Sequence, residues 1–276
     1  MATRCSKAGI PTGSPVSGES VRLVDEGGSI TRLVDALAAV VGGAGGPAAL
    51  IGGLAVLARV GGAYRVTNDV DAVSEPGALA IILAERGEAI GSSWTVRSVK
   101  VDVVEVGTTP ADRLQPADLP EDEADRMFVL AHQWALDTAA ELELVACDSR
   151  LRTLASASCL VATPAALVAM KVQSAPRRSA AGRYKVASDY ADVHRLLTHP
   201  GLLPPAAAAL AGAPHGLGTW VAAELERRFV GDAERVTGII RANLSLPPGS
   251  EIVPGDLRRT GARFVADFRR ASSEGG

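Results

Sequence analysis

Aromatic side chains supply only 4% of this 276-residue chain, so its core must be built mainly from Ala, Val and Leu. Apolar residues still make up 47% of it, and that length and composition suffice for two modest domains. Cysteine is as sparse. Cys5, Cys147 and Cys159 stand far apart without metal-ligand spacing, which excludes a disulfide framework and fits reduced thiols in a cytoplasmic protein. No two of the four histidines lie four residues apart, so a helical zinc pair is excluded as well. Neither a Gly-x-Ser-x-Gly elbow nor a Walker-type lysine loop occurs. One uncharged run, residues 36–58, is long enough to cross a membrane. Its middle, however, is Gly42-Gly43-Ala44-Gly45-Gly46-Pro47. A glycine costs about 1 kcal/mol and a proline about 3 in a helix interior, so the run reads as helix, turn and buried strand, and no membrane partner is expected.

What the chain does have is unevenly spread. Residues 1–149 carry 11 Lys/Arg against 21 Asp/Glu, whereas residues 150–276 carry 17 against 10. A basic C-terminal half suggests a surface that meets phosphates, and a merely solvated surface accounts for the same imbalance. Residues 1–28 are rich in Gly, Ser, Pro and Thr and lack the apolar stretch of a signal peptide, so a disordered leader is expected there. From Ser29, which can cap it, a helix is predicted through Val41, apolar at helical spacing. A buried strand follows over residues 48–51, then a helix over 54–60 closed by Gly61-Gly62. Residues 64–73 read as a strand. A helix opened by Glu75-Pro76 turns Ile81, Ile82 and Leu83 inward, and residues 94–106 alternate as one long strand. Residues 108–125 form a polar, acidic loop, and residues 141–146 and 152–161 form two more strands. From Thr163 onward the pattern is helical. Three arginine pairs, Arg227-Arg228, Arg258-Arg259 and Arg269-Arg270, are candidates for RNA-backbone contacts or for plain surface solvation.

The chemistry is concentrated in Gly52-Gly53 and the segment Arg65-Val66-Thr67-Asn68-Asp69-Val70-Asp71. Asp69 and Asp71 stand two apart on a strand, so both carboxylates project from one face. Such a pair is costly unless a cation neutralises it, and hard oxygen ligands suit Mg²⁺ or Mn²⁺. Asp102, on the face of a later strand shared with Lys100 and Val104, supplies a third carboxylate if the two strands are neighbours. Three converging carboxylates are what two-metal phosphoryl or nucleotidyl transfer requires. Gly52-Gly53 ends one strand and opens a helix, where backbone N–H groups and the helix dipole favour a phosphate.

Gly-Gly, a short helix and Asp-x-Asp on the next strand resemble the signature of the polymerase-beta-like nucleotidyltransferase superfamily, although many members carry Gly-Ser in place of Gly52-Gly53. A second block resembles the AbiEii/MenT-type toxins of toxin–antitoxin systems. It consists of the Thr163-Pro164 helix start, a helical Lys171, a basic loop Pro176-Arg177-Arg178, and Ser188-Asp189-Tyr190-Ala191-Asp192. The usual Lys-Asp-x-x-Asp has Ser188 in its first position here, with Lys185 one turn upstream. The likeness covers roughly residues 48–197. It implies an α/β (α+β) fold: a mixed-sheet nucleotidyltransferase core over 29–162, followed by a helical C-terminal domain over 163–276 that forms the other wall of a cleft.

By that resemblance, Asp69, Asp71 and Asp102 are the metal ligands and catalytic acids. Gly52, Gly53, Lys171, Arg177 and Arg178 bind a nucleoside triphosphate, and Asp189 supports Lys171. The implied reaction attaches a nucleoside monophosphate to an RNA acceptor, the 3′ end of tRNA, in a growth-inhibiting toxin that a cognate antitoxin neutralises. Lys171 is the one charge in an apolar helix, and it reads either as a phosphate-binding cation or as a lysine snorkelling at the rim of a core helix. On the following helix Asp189 falls beside the apolar stripe, with Lys171, Arg177 or Lys185 as candidate partners, whereas Asp192 points further toward solvent. Two other functions fit the same aspartates: an aminoglycoside-type small-molecule nucleotidyltransferase, and a catalytically silent nucleotide-binding relative.

Overall fold

A computed structural model describes residues 19–62, 67–177 and 182–275 of the chain. It divides into two compact units, one of residues 1–108 with 138–162 and one of residues 109–137 with 163–276.

The first unit holds an eight-stranded mixed sheet. In chain order its elements are β1 (Ser20–Val24), α1 (Ser29–Val41), β2 (Ala48–Ile51), α2 (Gly52–Val60), β3 (Asp69–Ser74), α3 (Ala80–Arg86), β4 (Gly87–Ile90), β5 (Ser93–Val96) and β6 (Val99–Glu105), with β7 (Ala140–Cys147) and β8 (Thr153–Val161) following residue 138. Across the sheet the order is β1-β7-β8-β2-β3-β6-β5-β4. The pairs β1/β7, β2/β8 and β3/β6 are parallel, and the others are antiparallel. Apolar positions of α1 (Ile30, Leu33, Val34, Leu37) are buried, as their spacing requires. The helix starts on Gly28 rather than on a Ser29 cap. Asp25 does the capping, accepting bonds from the Thr31 backbone N–H and hydroxyl, both at 2.7 Å. Burial raises the Asp25 pKa, but these hydrogen bonds outweigh it and leave the carboxyl below its usual range.

Four expectations are corrected here. The last part of the stretch read as a leader is strand β1, paired with β7 along its whole length; residues 1–18 lie outside the described residues. The single strand read over residues 94–106 is a hairpin of β5 and β6, turning at Arg97 and Ser98. Both turn residues have positive φ, 49° and 62°, the geometry of a tight hairpin turn without the Asn-Gly or Asp-Gly that ordinarily announces one. Ile81 is 71% exposed while Ile82 and Leu83 are buried, because consecutive helical residues are a hundred degrees apart and three in a row cannot all face inward. Finally, the acidic stretch at 121–125 is not loop throughout. It runs into α4 (Glu123–Asp137), where Asp122 accepts the Asp125 N–H at 2.9 Å and Glu123 and Asp125 occupy the dipole-favoured first turn.

The second unit is helical: α4, then α5 (Pro164–Arg177), α6 (Arg183–Thr198), α7 (Leu203–Ala211), α8 (Leu217–Leu225), a π-helical turn at Glu226–Gly231, α9 (Ala233–Asn243) and α10 (Pro254–Glu274). Thr163 caps α5 as its sequence suggests, its hydroxyl accepting the Ala166 N–H at 3.3 Å with Pro164 in the first helical position. Helix α6 packs against α5, α9, α10 and α7 and is buried on nearly all sides from Ala187 to Leu197. Among the described residues no helix is long and apolar enough to cross a membrane.

Candidate active site

The parallel pairing of β3 with β6 sets Asp71 opposite Asp102 and Asp69 opposite Lys100. Side chains two apart on a strand share a face, so all four groups project from the same side of the sheet. One carboxylate oxygen from each of Asp69, Asp71 and Asp102 lies within 4.8 Å of the others, and all three residues are half-buried. Such a set could hold a divalent ion. It offers only oxygen and it is reachable from solvent, and among the described residues Lys100 pairs with it through Asp102.

Each acid is also held by neighbours. The Asp102 carboxylate accepts the Ser93 hydroxyl and the Lys100 ammonium, both at 2.5 Å. Asp69 accepts the Thr67 hydroxyl at 3.3 Å. The hydrogen bond to Asp102 is the largest reason that the Lys100 pKa is raised, partly offset by desolvation and reinforced by the charges of Asp102, Asp69 and Asp71. Ser93 and Thr67 were not anticipated. The clue to Ser93 lay in the hairpin, since continuing the β5/β6 register past Trp94↔Val101 places it opposite Asp102.

Gly52 lies at the β2–α2 elbow, where Ile51 pairs with Asp71. Its φ is +68°, and a Cβ placed on it would sit 1.9 Å from the Asp71 carboxylate. The position thus demands glycine twice, for the left-handed backbone and for the close approach of the acid. Gly53 is buried in the first turn of α2, and the helix ends on a left-handed Gly61, as expected. Arg59, near that end, is buried and donates to the carbonyls of Ala162 and Val161 at 2.9 and 2.6 Å. It ties α2 to the end of β8.

Lys171 and Asp189 meet in the second unit. The Lys171 ammonium lies 2.8 Å from Asp189 and 2.9 Å from Asp192. The lysine side chain is 11% exposed and the two acids 1% and 0%. Lys171 therefore does not snorkel. Asp192, expected nearer solvent, is fully buried on the same cation, because residues three apart on α6 share a side and this helix has neighbours nearly all round. Ser174, one turn beyond Lys171, was also missed; its hydroxyl donates to the second Asp189 oxygen at 2.8 Å. Ser188 directs its hydroxyl to the Lys185 carbonyl at 2.9 Å. Arg178 lies outside the described residues, as does the side chain of Arg177.

A family model described as "Nucleotidyl transferase AbiEii toxin, Type IV TA system" matches residues 35–248. No curated protein and no solved structure matches the chain. The matched span contains the glycine elbow, the three carboxylates and the Lys171–Asp189–Asp192 cluster.

Proposed function

This chain belongs to the AbiEii nucleotidyl transferase toxin family of type IV toxin–antitoxin systems, and on that premise we propose that it transfers a nucleoside monophosphate from a nucleoside triphosphate to an RNA acceptor, the 3′ end of tRNA, in a reaction that depends on Mg²⁺ or Mn²⁺. Family membership brings with it a nucleotide substrate and a cognate antitoxin. The observation that carries the reading is the gathering of the Asp69, Asp71 and Asp102 carboxylate oxygens within 4.8 Å, next to the glycine that begins α2.

In this reaction the acceptor hydroxyl oxygen bonds to the α-phosphorus, the bond from that phosphorus to the bridging oxygen breaks, and pyrophosphate leaves. Divalent ions, when bound, stabilise the charge spread over the transferring phosphate and acidify the attacking hydroxyl. Asp69 and Asp71 are the proposed ligands. Asp102, with its oxygens oriented by Ser93 and Lys100, completes the set and takes the hydroxyl proton. The backbone N–H groups of Gly52-Gly53, at the start of α2, are the proposed rest for the triphosphate. Lys171, kept in place by Asp189 and Asp192, is assigned to the phosphate tail, and Arg177 and Arg178 are assigned to the nucleotide as well. The cytoplasm, where charged nucleotides and tRNA reside, is the proposed compartment.

The test is incubation of the purified chain with total RNA, Mg²⁺ and each labelled triphosphate in turn. A labelled product of tRNA size is expected. Labelling of a small-molecule acceptor instead, or nucleotide binding without pyrophosphate release, would replace the RNA reading.

A further inference from the structure

The second unit contains a cavity of about 660 Å³, and among the described residues that line it there is none of those assigned above to the transfer reaction. Arg183 from the start of α6, Arg227 and Arg228 from the π-helical turn, and Arg235 from α9 all line it. Two carboxylates oppose these four guanidiniums. Glu224 pairs with Arg227 at 2.8 Å and with Arg228 at 2.5 Å, and Asp232 lies 3.6 Å from Arg227. Burial pushes the Glu224 carboxyl pKa up, but bonds from both arginines more than reverse that. Arg228 is buried and also donates to the Tyr190 hydroxyl at 2.8 Å. Arg183 and Arg235 are exposed. The cavity wall is therefore cationic, with one guanidinium held rigidly and two able to reach a ligand.

Two further features favour a ligand here. A π-helical turn is rare and, where it occurs, is frequently at a functional site, and Arg227 and Arg228 of this one both line the cavity. Gly238 lies inside α9 on the same wall. Glycine there costs about 1 kcal/mol relative to alanine, yet its φ is not positive and an added Cβ would meet nothing within 4 Å. Neither backbone nor packing requires a glycine, and its lack of a side chain leaves the wall open beside Val236 and Ile239.

We propose that this cavity binds an organic phosphate of nucleotide size, its arginines on the phosphate and its apolar wall on the base. The volume falls in the range of small-molecule sites, roughly 300–1,000 Å³, and paired guanidinium forks suit phosphate oxygens. The ligand is either a free nucleotide or one nucleotide unit of an RNA strand. The proposal does not depend on the transfer reaction.

The test measures binding to the full-length chain in EDTA, which leaves the carboxylate site without divalent ions. One arm uses a nucleoside monophosphate, followed by calorimetry. The other uses a fluorescein-labelled single-stranded oligoribonucleotide, followed by anisotropy. The double variant Arg183→Ala/Arg235→Ala changes only exposed side chains, and Gly238→Leu fills the cavity. Each is expected to weaken binding about tenfold or more, and the arginine variant is expected to flatten the salt dependence by about one unit of slope per arginine. Thermal melts of the parent and of both variants check that each is folded. Tighter binding of the oligoribonucleotide identifies RNA as the source, and tighter binding of the monophosphate identifies a free nucleotide. Binding of neither probe, or parental affinity in either test variant, overturns the proposal. No transfer is measured, so this outcome is separate from that of the labelling experiment.

Discussion

Asp71 and Asp102 are register partners across the parallel β3/β6 pair, and the Asp71 carboxylate occupies the space that a side chain at position 52 would need. Sheet pairing and a glycine elbow together hold like charges at close quarters, an arrangement that gains stability when a cation joins it.

Replacing Asp69 or Asp71 by Asn is therefore expected to lower nucleotide transfer by more than about a hundredfold while leaving the fold intact. In the parent, Mn²⁺ should raise the melting temperature, because an ion that binds only the folded state stabilises it by mass action. In the variants this rise should shrink or vanish. Thermal melts with and without Mn²⁺, alongside labelling assays, check both. An unchanged rate in the Asp69 variant would remove the enzymatic reading.

Gly52→Ala should fail for two reasons, the left-handed φ and the collision with Asp71. The expected loss of stability is about 1–3 kcal/mol, read by urea unfolding. Transfer should fall further than stability alone explains, since relief of the collision displaces an oxygen proposed to bind the metal.

Lys171→Met removes a cation that pairs with two buried carboxylates, and breaking such a pair costs about 3–5 kcal/mol. The triple variant Lys171→Met/Asp189→Asn/Asp192→Asn removes all three charges and should recover much of that loss in urea unfolding. If Lys171 serves the nucleotide as proposed, the triple variant stays inactive. Restored labelling in it would assign Lys171 a structural role alone.

His194 is buried in α6 with neither ring nitrogen hydrogen-bonded. Desolvation, with help from the charge of Arg195 and against that of Asp256, lowers its pKa to about 4. A histidine depressed in the folded state binds its proton more readily when unfolded. Its stability contribution is therefore fully present above the ordinary pKa near 6.5 and is lost as pH falls toward about 4. His194→Leu should abolish that part of the acid sensitivity, a difference of order 1–3 kcal/mol between pH 7 and 4. Parallel pH–stability curves for parent and variant would contradict this.

Much of the site could be read from the chain alone because its rules are local. Asp69 and Asp71 share a face by strand periodicity, Gly52-Gly53 marks a strand-to-helix elbow, and Thr163-Pro164 announces a helix start. The helical character beyond Thr163 and the glycine interruption of residues 42–46 follow from propensity in the same way. Long-range pairing was beyond such rules. That Asp102 joins the other two acids depends on β3 choosing β6 as its parallel neighbour, and Ser93 reaches Asp102 only because Arg97 and Ser98 adopt left-handed turn conformations that their types do not advertise. Strand β1 gains its place from β7, more than a hundred residues away. Asp192 is buried because α6 is surrounded by four other helices, so helical periodicity on its own could not tell a buried acid from an exposed one. Periodicity assigns a face; which faces become interior depends on the partners that cover them.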